Sequence, residues 1–169
     1  MKKLFVLLLS MTPLFLFAQS GSKAATAQTP SKDQLCVVDN KVITRQELDK
    51  VNPENVVDIQ VLNSAAAKAL YGDSGVNGAI IVVTKKFAIS SYQEKFSDFS
   101  ADYESYLTSH GTDDKQFIYI INNMALPKDK NEVRKLYDIP KDKIESVVFI
   151  QDQPEGSKIL AKVAITTKK

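Results

Sequence analysis

The side chains that could carry out covalent or acid–base chemistry are few and far apart in this sequence. Ser74 could act as a nucleophile, but the motif G-x-S-x-G is incomplete around it because Val76 stands at its last position. His110 is the only histidine and lies in the turn-like run SHGTDD, whereas Cys36 is the only cysteine and lies in an apolar run. Without a second His or Cys, a metal site would need carboxylates alone.

No other motif of an active site is found in the sequence. It contains no phosphate-binding G-x-x-x-x-G-K and no zinc-binding H-E-x-x-H. The neighbouring acids Asp113 and Asp114 fall in a polar turn, where solvation is the expected state. Because an active site needs several such groups together, the sequence predicts no enzyme, no metal and no cofactor. A reaction centred on Ser74 or His110 is the minor alternative.

The first eighteen residues have the pattern of a secretory signal peptide. Lys2 and Lys3 precede an apolar run over residues 4–18, and small or polar residues follow Ala18. A membrane-spanning helix needs roughly twenty apolar residues, which is more than this run provides. We therefore expect cleavage after Ala18, export of the protein, and no integral membrane segment in the mature chain.

The charge balance gives no electrostatic reason to expect nucleic acid or anionic lipid as a partner. The 169 residues include 22 Lys and Arg against 20 Asp and Glu, and loss of Lys2 and Lys3 would leave 20 against 20. The single cysteine allows no internal disulfide bond, so the fold must depend on packing.

The folded part is expected to begin at Leu35. Before it, residues 19–34 are rich in Ser, Thr, Ala and Gln, which predicts a flexible leader. Asp39 and Asn40 form an Asx pair, which tolerates the positive φ of a tight turn between two short strands. Further on, the run AIIVVT predicts a strand buried on both faces.

Short helices are predicted between these strands. Thr44 and Glu47 form a capping box for the first helix, and Ser64 would cap an alanine-rich helix that ends at Gly72. Helices between strands argue for an α/β or α+β sheet that is covered on at least one side, and we expect an α+β fold with an α/β-like order of elements. The strand NVVDIQVL has a more apolar side, formed by Val57, Ile59 and Val61.

With this order of strands, turns and helices, residues 35–86 resemble the plug domain of TonB-dependent outer-membrane receptors, in particular those of the starch-utilisation type. The family's segment reads approximately VVDG, then NPNDIESIEVLKDA, then ALYGSRGANGVILITTKKG. The matching positions here are Val37, Val38, Asp39, Asn52, Pro53, Val56, Ile59, Val61, Leu62, Ala69, Leu70, Tyr71, Gly72, Gly75, Asn77, Gly78, Ile80, Thr84, Lys85 and Lys86.

The resemblance implies a plug-like fold and a location in the cell envelope. Asn40 replaces a family glycine, which an Asn can do at a left-handed turn position. Nothing after Lys86 resembles the receptor barrel, and the leader shows no short hydrophobic box for contacting TonB. Since a plug without a barrel gates no channel, the resemblance does not imply transport activity.

Residues 117–169 repeat this pattern in a degenerate form. Asn122 and Asn123 fall on the first Asx pair, and Asp129 with Glu132 suggests a second capping box. The run VAITTKK falls on IIVVTKK. Three apolar positions of the second copy, Ile144, Val147 and Ile150, fall on Val56, Ile59 and Leu62.

The glycine-rich turn of residues 71–78 in the first copy has no counterpart in the second. This glycine-rich turn could supply only permissive backbone for a helix end and a hairpin entry. Alternatively it protrudes and binds a partner, since the equivalent plug turn of the resembled family lies near a barrel wall. Its residues are Tyr71, Gly72, Asp73, Ser74, Gly75, Val76, Asn77 and Gly78.

Residues 87–116 link the two copies, and their pattern predicts an amphipathic helix. Its apolar residues recur at spacings of three and four, and the opposite side is acidic. The stripe could pack on one or both sheets, or it could form a groove for a ligand or partner. It consists of Tyr92, Phe96, Phe99, Tyr103, Tyr106 and Leu107.

These observations favour an exported, non-enzymatic module of two β-α-β-α-β repeats that binds another protein in the periplasm. The candidate partners are a receptor barrel or a TonB-type energy transducer at the outer membrane. The alternative function is small-ligand binding, in a pocket between the aromatic helix and a sheet. Each copy is about the size at which an isolated core is marginal, so we expect both to fold as one unit.

Overall fold

The computed structural model describes residues 33–151 and 161–168, so the expected signal peptide lies outside the described residues. The strands are β1 (Leu35–Val38), β2 (Lys41–Ile43), β3 (Val56–Leu62), β4 (Ala79–Thr84), β5 (Phe117–Ile121), β6 (Met124–Ala125), β7 (Ile144–Ile150) and β8 (Ala161–Thr167). The α-helices are α1 (Arg45–Leu48), α2 (Ser64–Tyr71), α3 (Lys85–Ser97), α4 (Ala101–His110) and α5 (Glu132–Tyr137). Short 3-10 helices occupy Pro53–Asn55, Gly72–Gly75 and Lys141–Lys143.

The strands form two four-stranded sheets with the same order, β2-β1-β4-β3 (sheet A) and β6-β5-β8-β7 (sheet B). In each sheet the two central strands are parallel and both outer pairs are antiparallel. The helices lie in the connections, as expected for mixed sheets. The α+β class with two small mixed sheets, predicted from the sequence, is therefore confirmed.

The two sheets also share their pairing register. In sheet A, Val37 pairs with Ile81, and in sheet B the corresponding Ile120 pairs with Ala164. The antiparallel pairs β3–β4 and β7–β8 each contain a register shift near their start, between residues 56 and 58 in β3 and between residues 144 and 146 in β7. Positions that match in sequence thus occupy matching positions in the sheets.

Both Asx pairs adopt the expected left-handed conformation. The φ angles are 51° and 63° at Asp39 and Asn40, and 48° and 68° at Asn122 and Asn123. These residues tolerate positive φ better than other non-glycine residues, which allows two-residue hairpin turns between β1 and β2 and between β5 and β6.

Each Asx turn is tied to the end of a central strand. The Asp39 carboxylate accepts hydrogen bonds from the backbone N–H and the hydroxyl of Thr84, both at 2.8 Å. Asn122 accepts from the Thr167 N–H at 2.9 Å, and its amide donates to the Thr167 hydroxyl oxygen at 2.8 Å. Thr84 is also the N-cap of α3, where its hydroxyl accepts from the N–H of Phe87.

The helix ends agree in part with the sequence. The capping box of Thr44 and Glu47 is present, and the hydrogen bonds from Thr44 lower the pKa of the Glu47 carboxyl. The expectation that Ser64 caps α2 was wrong, because the Asn63 side chain accepts the hydrogen bond from the N–H of Ala66 instead. Gly72 ends α2 with φ of 60°, as expected.

The second expected capping box is not formed. Asn131 is the N-cap of α5 and makes no side-chain capping hydrogen bond. Asp129 instead accepts from the backbone N–H of Asn131 at 2.7 Å, in a turn before the helix. A short polar side chain can cap a turn as readily as a helix, so the spacing alone did not identify the helix start.

The segment between the two sheets contains two helices, α3 and α4, where the sequence predicted one. Ser100 lies between them with extended backbone angles, and its hydroxyl accepts from the N–H of Tyr103 as the N-cap of α4. Since an N-cap starts a new helix, α4 begins as a separate helix at this serine. The apolar spacing continues across the break, which is why the pattern resembled a single helix.

The largest core lies on one face of sheet B. Helices α3, α4 and α5 cover this face, and their buried apolar side chains pack on those of β5, β7 and β8. The core contains Tyr92, Phe96, Tyr103, Tyr106, Phe117, Tyr119, Leu136, Ile139, Ile144, Val147, Ala161, Val163 and Ile165.

Candidate functional site

The glycine-rich turn follows α2 and exposes apolar side chains. Leu70, in the last turn of α2, is 67% exposed, and Val76 is 53% exposed. The polar residues Asp73, Ser74 and Asn77 are also exposed. The turn therefore presents two large apolar groups on a polar surface.

Two glycines of this turn are required by close packing. A Cβ atom at Gly75 would lie 2.4 Å from the backbone carbonyl atoms of Ala67. A Cβ atom at Gly78, where φ is 87°, would lie 2.6 Å from the carbonyl oxygen of Leu62. Gly72 also has positive φ, but nothing lies within 4 Å of its Cβ position. Gly75 and Gly78 thus hold the turn against α2 and β3.

The more apolar side of β3 is exposed, where the sequence pattern suggested a covered face. Ile59 is 59% exposed and Val61 is 52% exposed. At the matching positions of β7, Val147 is only 5% exposed and Phe149 is partly buried, with its ring against Tyr103 of α4. Among the described residues, no helix covers the face of β3 that carries Ile59 and Val61, so these two side chains remain exposed.

The aromatic stripe of the linking segment lies in the core of sheet B. The rings of Tyr92, Phe96 and Tyr103 are fully buried, and that of Tyr106 is almost so. Phe99 and Leu107 pack against the same core and are partly buried. The stripe therefore fills the space where a groove had been considered, and it joins the linking helices to the second sheet.

A buried polar cluster at the centre of this core was not found by sequence reasoning. Asp114 is only 7% exposed, contrary to the solvation expected of it. Its Oδ2 atom accepts hydrogen bonds from the hydroxyls of Tyr92 and Tyr119, both at 2.5 Å, and from the Gln93 amide at 3.1 Å. The hydroxyls of Tyr103 and Tyr119 lie 3.0 Å apart. No sequence signal reveals this cluster because its members come from α3, α4, β5 and a loop.

Burial governs the acid–base behaviour of these tyrosines. Desolvation raises the pKa of Tyr92, Tyr103 and Tyr119 well above 10.0, and the nearby Asp114 carboxylate raises it further. All three phenols therefore stay neutral at physiological pH. The hydroxyls of Tyr92 and Tyr119 donate hydrogen bonds to the Asp114 carboxylate, and the Tyr103 hydroxyl pairs with that of Tyr119.

One ion pair joins sheet A to the helices of sheet B, and a second contact joins two of those helices. Arg134 of α5 lies 2.9 Å from Oδ1 of Asp58, a buried acid on β3. The Lys95 ammonium of α3 donates to the carbonyl oxygens of Leu136, Tyr137 and Ile139 at the end of α5, and desolvation lowers its pKa. A cation at a helix C-terminus is favourable, so Lys95 holds the end of α5 against α3.

The residues first considered for chemistry do not assemble into a site. Ser74 is exposed in the 3-10 helix Gly72–Gly75, and His110 ends α4 with its ring stacked on Tyr106 at 4.3 Å between centroids. Cys36 is buried, and its thiol donates to the carbonyl oxygen of Gln34 at 3.6 Å. Across residues 33–151 and 161–168, no group of three or more His, Cys, Asp and Glu is arranged to hold a metal ion.

A cavity of about 670 Å³ lies beside the start of α3. Its wall includes Asn52, Asn55, Lys85 and Thr112. Gln93 also lines it, and the Oε1 atom of this side chain is buried and has no hydrogen-bond partner among the described residues. A buried acceptor without a donor is uncommon in native structures.

Comparison with known proteins supports the plug-like relationship over part of the chain. TonB-dependent receptor SusC of Bacteroides thetaiotaomicron is 34% identical over 76 residues, which cover 41% of this chain and 8% of the receptor. TonB-dependent receptors P26 and P3 of Formosa agariphila are 36% identical over 58 residues and 38% identical over 64 residues. The latter matches cover 34% and 38% of this chain and 6% of each receptor.

The chain thus spans less than a tenth of the length of the receptors that it matches. Over that part it is similar to a segment of TonB-dependent receptors. No family model and no solved structure matches the chain. Among the described residues, the helices are too short or too polar for any of them to cross a membrane.

Proposed function

We propose that this protein is a receptor-plug-like module that acts without catalysis by docking onto another protein of the cell envelope, in the periplasm. The partial similarity to TonB-dependent receptors and the expected signal peptide support this location. The candidate partners are a receptor barrel and a TonB-type transducer. The observation that carries the proposal is the pair of exposed apolar residues at the glycine-rich turn, Val76 within the turn and Leu70 at the end of α2 just before it.

The turn has the properties of a docking element. Leu70 and Val76 are large apolar side chains in contact with solvent, which has a free-energy cost that binding to a partner would remove. The tight packing of Gly75 against Ala67 keeps the backbone in one conformation. A preformed turn loses little conformational entropy on binding, so two apolar groups can contribute most of their transfer free energy.

The test is a crosslinking purification of the tagged chain from its native envelope. We compare the wild type with the double variant Leu70→Ser/Val76→Ser, which keeps every glycine of the turn. The matched control is Met124→Ser/Val148→Ser, which changes two exposed apolar residues of sheet B. We expect one dominant envelope protein with the wild type and the control, and its loss with the turn variant.

The captured protein is then purified and its binding measured directly. Stoichiometric binding that weakens about tenfold or more in the turn variant would support docking through Leu70 and Val76. Recovery of partner-free protein in all samples would refute the docking role. Equal capture by the turn variant would instead assign the contact to another surface.

Small-ligand binding is the second candidate, and the cavity beside α3 is the observation that favours it. Its polar wall, which includes Asn52, Asn55, Lys85 and Gln93, offers hydrogen-bond donors and acceptors to a ligand. A ligand that binds the folded state raises the melting temperature in proportion to its affinity and concentration. The assay is thermal unfolding in the presence of small-metabolite mixtures, with Gln93→Leu as the variant that must lose any shift.

A further inference from the structure

Strand β3 is an outer strand of sheet A that lacks the usual protection of such strands. Its pairing partner is β4 on one side, and no other described strand pairs with it. Outer strands of natural proteins usually carry lysines, prolines or a covering helix, because their free backbone groups can pair with another chain. Residues 59–62 of this strand and residue 63, which follows it, include neither a charged side chain nor a proline.

The side chains on this strand are apolar and uncovered. Ile59 pairs with Val82 and Val61 pairs with Ile80, so the two exposed residues continue a buried apolar face of the sheet. Residues that pair across antiparallel strands lie on the same face. The one charge next to this segment, Asp58, is already paired with Arg134.

We propose that β3 pairs antiparallel with β3 of a second copy of this chain, about a two-fold axis at Gln60. In this register, Ile59 of each copy lies opposite Val61 of the other, on the same face. Asp58 lies opposite the neutral Leu62, so no like charges meet. Sheet A of one copy and sheet A of the other then form one continuous eight-stranded sheet.

The sequence of the strand favours a second copy over an unrelated strand. A two-fold interface requires a surface that is complementary to itself, and this segment meets that requirement in both side-chain size and charge. The register shift near Asp58 lies outside the paired segment, so residues 59–62 keep regular strand pairing. The surface is separate from Leu70 and Val76, and the inference does not depend on the proposed docking role.

Strand β7, the corresponding outer strand of sheet B, is less suited to this pairing. Its exposed residues Val148 and Ile150 lie on the opposite face from the covered Phe149, and Ile150 pairs with Lys162. If two β7 strands paired about Phe149, Lys162 of each copy would lie on the strand next to the new interface. Val148 is 51% exposed, which makes it a matched control for Ile59.

The first test is sedimentation equilibrium of the chain from residue 19, over a wide range of protein concentration. The wild type is expected to form a dimer reversibly. Ile59→Lys should weaken the dimer about tenfold or more, because each introduced charge would face Val61 of the other copy. Val148→Lys should leave the dimer unchanged. A wild type that stays monomeric, or a dimer weakened only by Val148→Lys, would overturn the proposal.

The second test measures the register by disulfide formation. Each variant carries Cys36→Ser, which removes the only native thiol, and circular dichroism checks that it folds. Gln60→Cys should form a covalent dimer on mild oxidation, since opposite Cβ atoms lie about 4.5–5.5 Å apart. Ile59→Cys and Val61→Cys should crosslink poorly alone and well when mixed. Equal crosslinking at all three positions, or none at Gln60→Cys, would contradict this register.

Discussion

Removal of the Asp114 carboxylate should destabilise the protein far more than removal of its neighbour Asp113. In Asp114→Ala, the hydroxyls of Tyr92 and Tyr119 and one N–H of the Gln93 amide lose this acceptor, while the amide keeps its hydrogen bond to the Thr112 carbonyl oxygen. An unsatisfied buried donor costs about 1–3 kcal/mol, so three of them cost about 3–6 kcal/mol after some rearrangement. That loss is a large part of the about 5–15 kcal/mol by which a domain is stable.

Asp113→Ala is the matched control because it changes the adjacent acid without touching the cluster. The Asp113 carboxylate is exposed and accepts hydrogen bonds from the Lys115 backbone N–H at 3.2 Å and from the Lys115 ammonium at 3.3 Å. Exposed pairs of this kind contribute little to stability. We expect this variant to unfold at the same denaturant concentration as the wild type, within the error of the measurement.

The assay is urea unfolding followed by far-UV circular dichroism at neutral pH. With an m value of about 2 kcal/mol per molar urea, the expected loss moves the midpoint of Asp114→Ala down by about 2 M. A further comparison places Asp114→Ala in a chain that also carries Tyr92→Phe and Tyr119→Phe. There the cost should fall sharply, because two of the three donors are no longer present to be left unpaired.

Two results would refute this reasoning. A midpoint for Asp114→Ala equal to that of Asp113→Ala would mean that the cluster contributes no net stability. An undiminished cost in the chain that lacks both hydroxyls would mean that Asp114 acts through its volume or charge, and not through its hydrogen bonds.

Three further predictions follow from the same structure. A Cβ atom at Gly75 would overlap the backbone of Ala67, so Gly75→Ala should lower the melting temperature more than Gly72→Ala, for which only the cost of positive φ of about 1 kcal/mol applies. The fragment of residues 35–86 should show no cooperative thermal unfolding, since Asp58 would lose Arg134; a well-folded fragment would contradict this. The contribution of the buried phenols to the free energy of unfolding should be fully present below pH 10. Above pH 10 it should fall by up to about 1.4 kcal/mol per pH unit for each phenol, because the pKa of the phenol is higher in the folded than in the unfolded state. Urea unfolding at increasing alkaline pH, with phenylalanine variants as controls, measures this loss at Tyr92, Tyr103 and Tyr119.

Local signals in the sequence were reliable where a few neighbouring residues decide the structure. The positive φ of Asp39 and Asn40 and the capping box at Thr44 were predicted because both depend on side chains within three residues. The burial of AIIVVT on both faces followed from its uninterrupted apolar run. The fold class followed from the order of such elements.

The caps expected at Ser64 and at Asp129 with Glu132 were missed although they are local, because neighbouring polar residues compete for the same role. Other missed features depend on contacts between distant parts of the chain. The pattern of β3 correctly separated a polar from an apolar side, but it could not show that β3 is an outer strand without a covering helix at Ile59. Asp114 resembled its exposed neighbour in sequence, and only the approach of Tyr92 and Tyr119 makes it a buried acceptor. The break at Ser100 was hidden because α3 and α4 both face the same core.

The hydrogen bonds of Asp39 to Thr84 and of Asn122 to Thr167 are equivalent, except that a carboxylate oxygen of Asp39 is replaced by an amide nitrogen in Asn122. The helix that follows Thr84 explains this difference. Helix α3 begins directly after Thr84 with two lysines and has no acidic residue in its first turn, although the positive end of a helix dipole favours a negative charge there. The carboxylate of Asp39, held by Thr84 at the N-cap, supplies that charge from a turn 45 residues earlier in the chain. After β8 the structure describes only Lys168, and the neutral amide of Asn122 makes the corresponding tie. Asp39 is thus a counter-ion for α3, recruited from a hairpin that has no part in the helix.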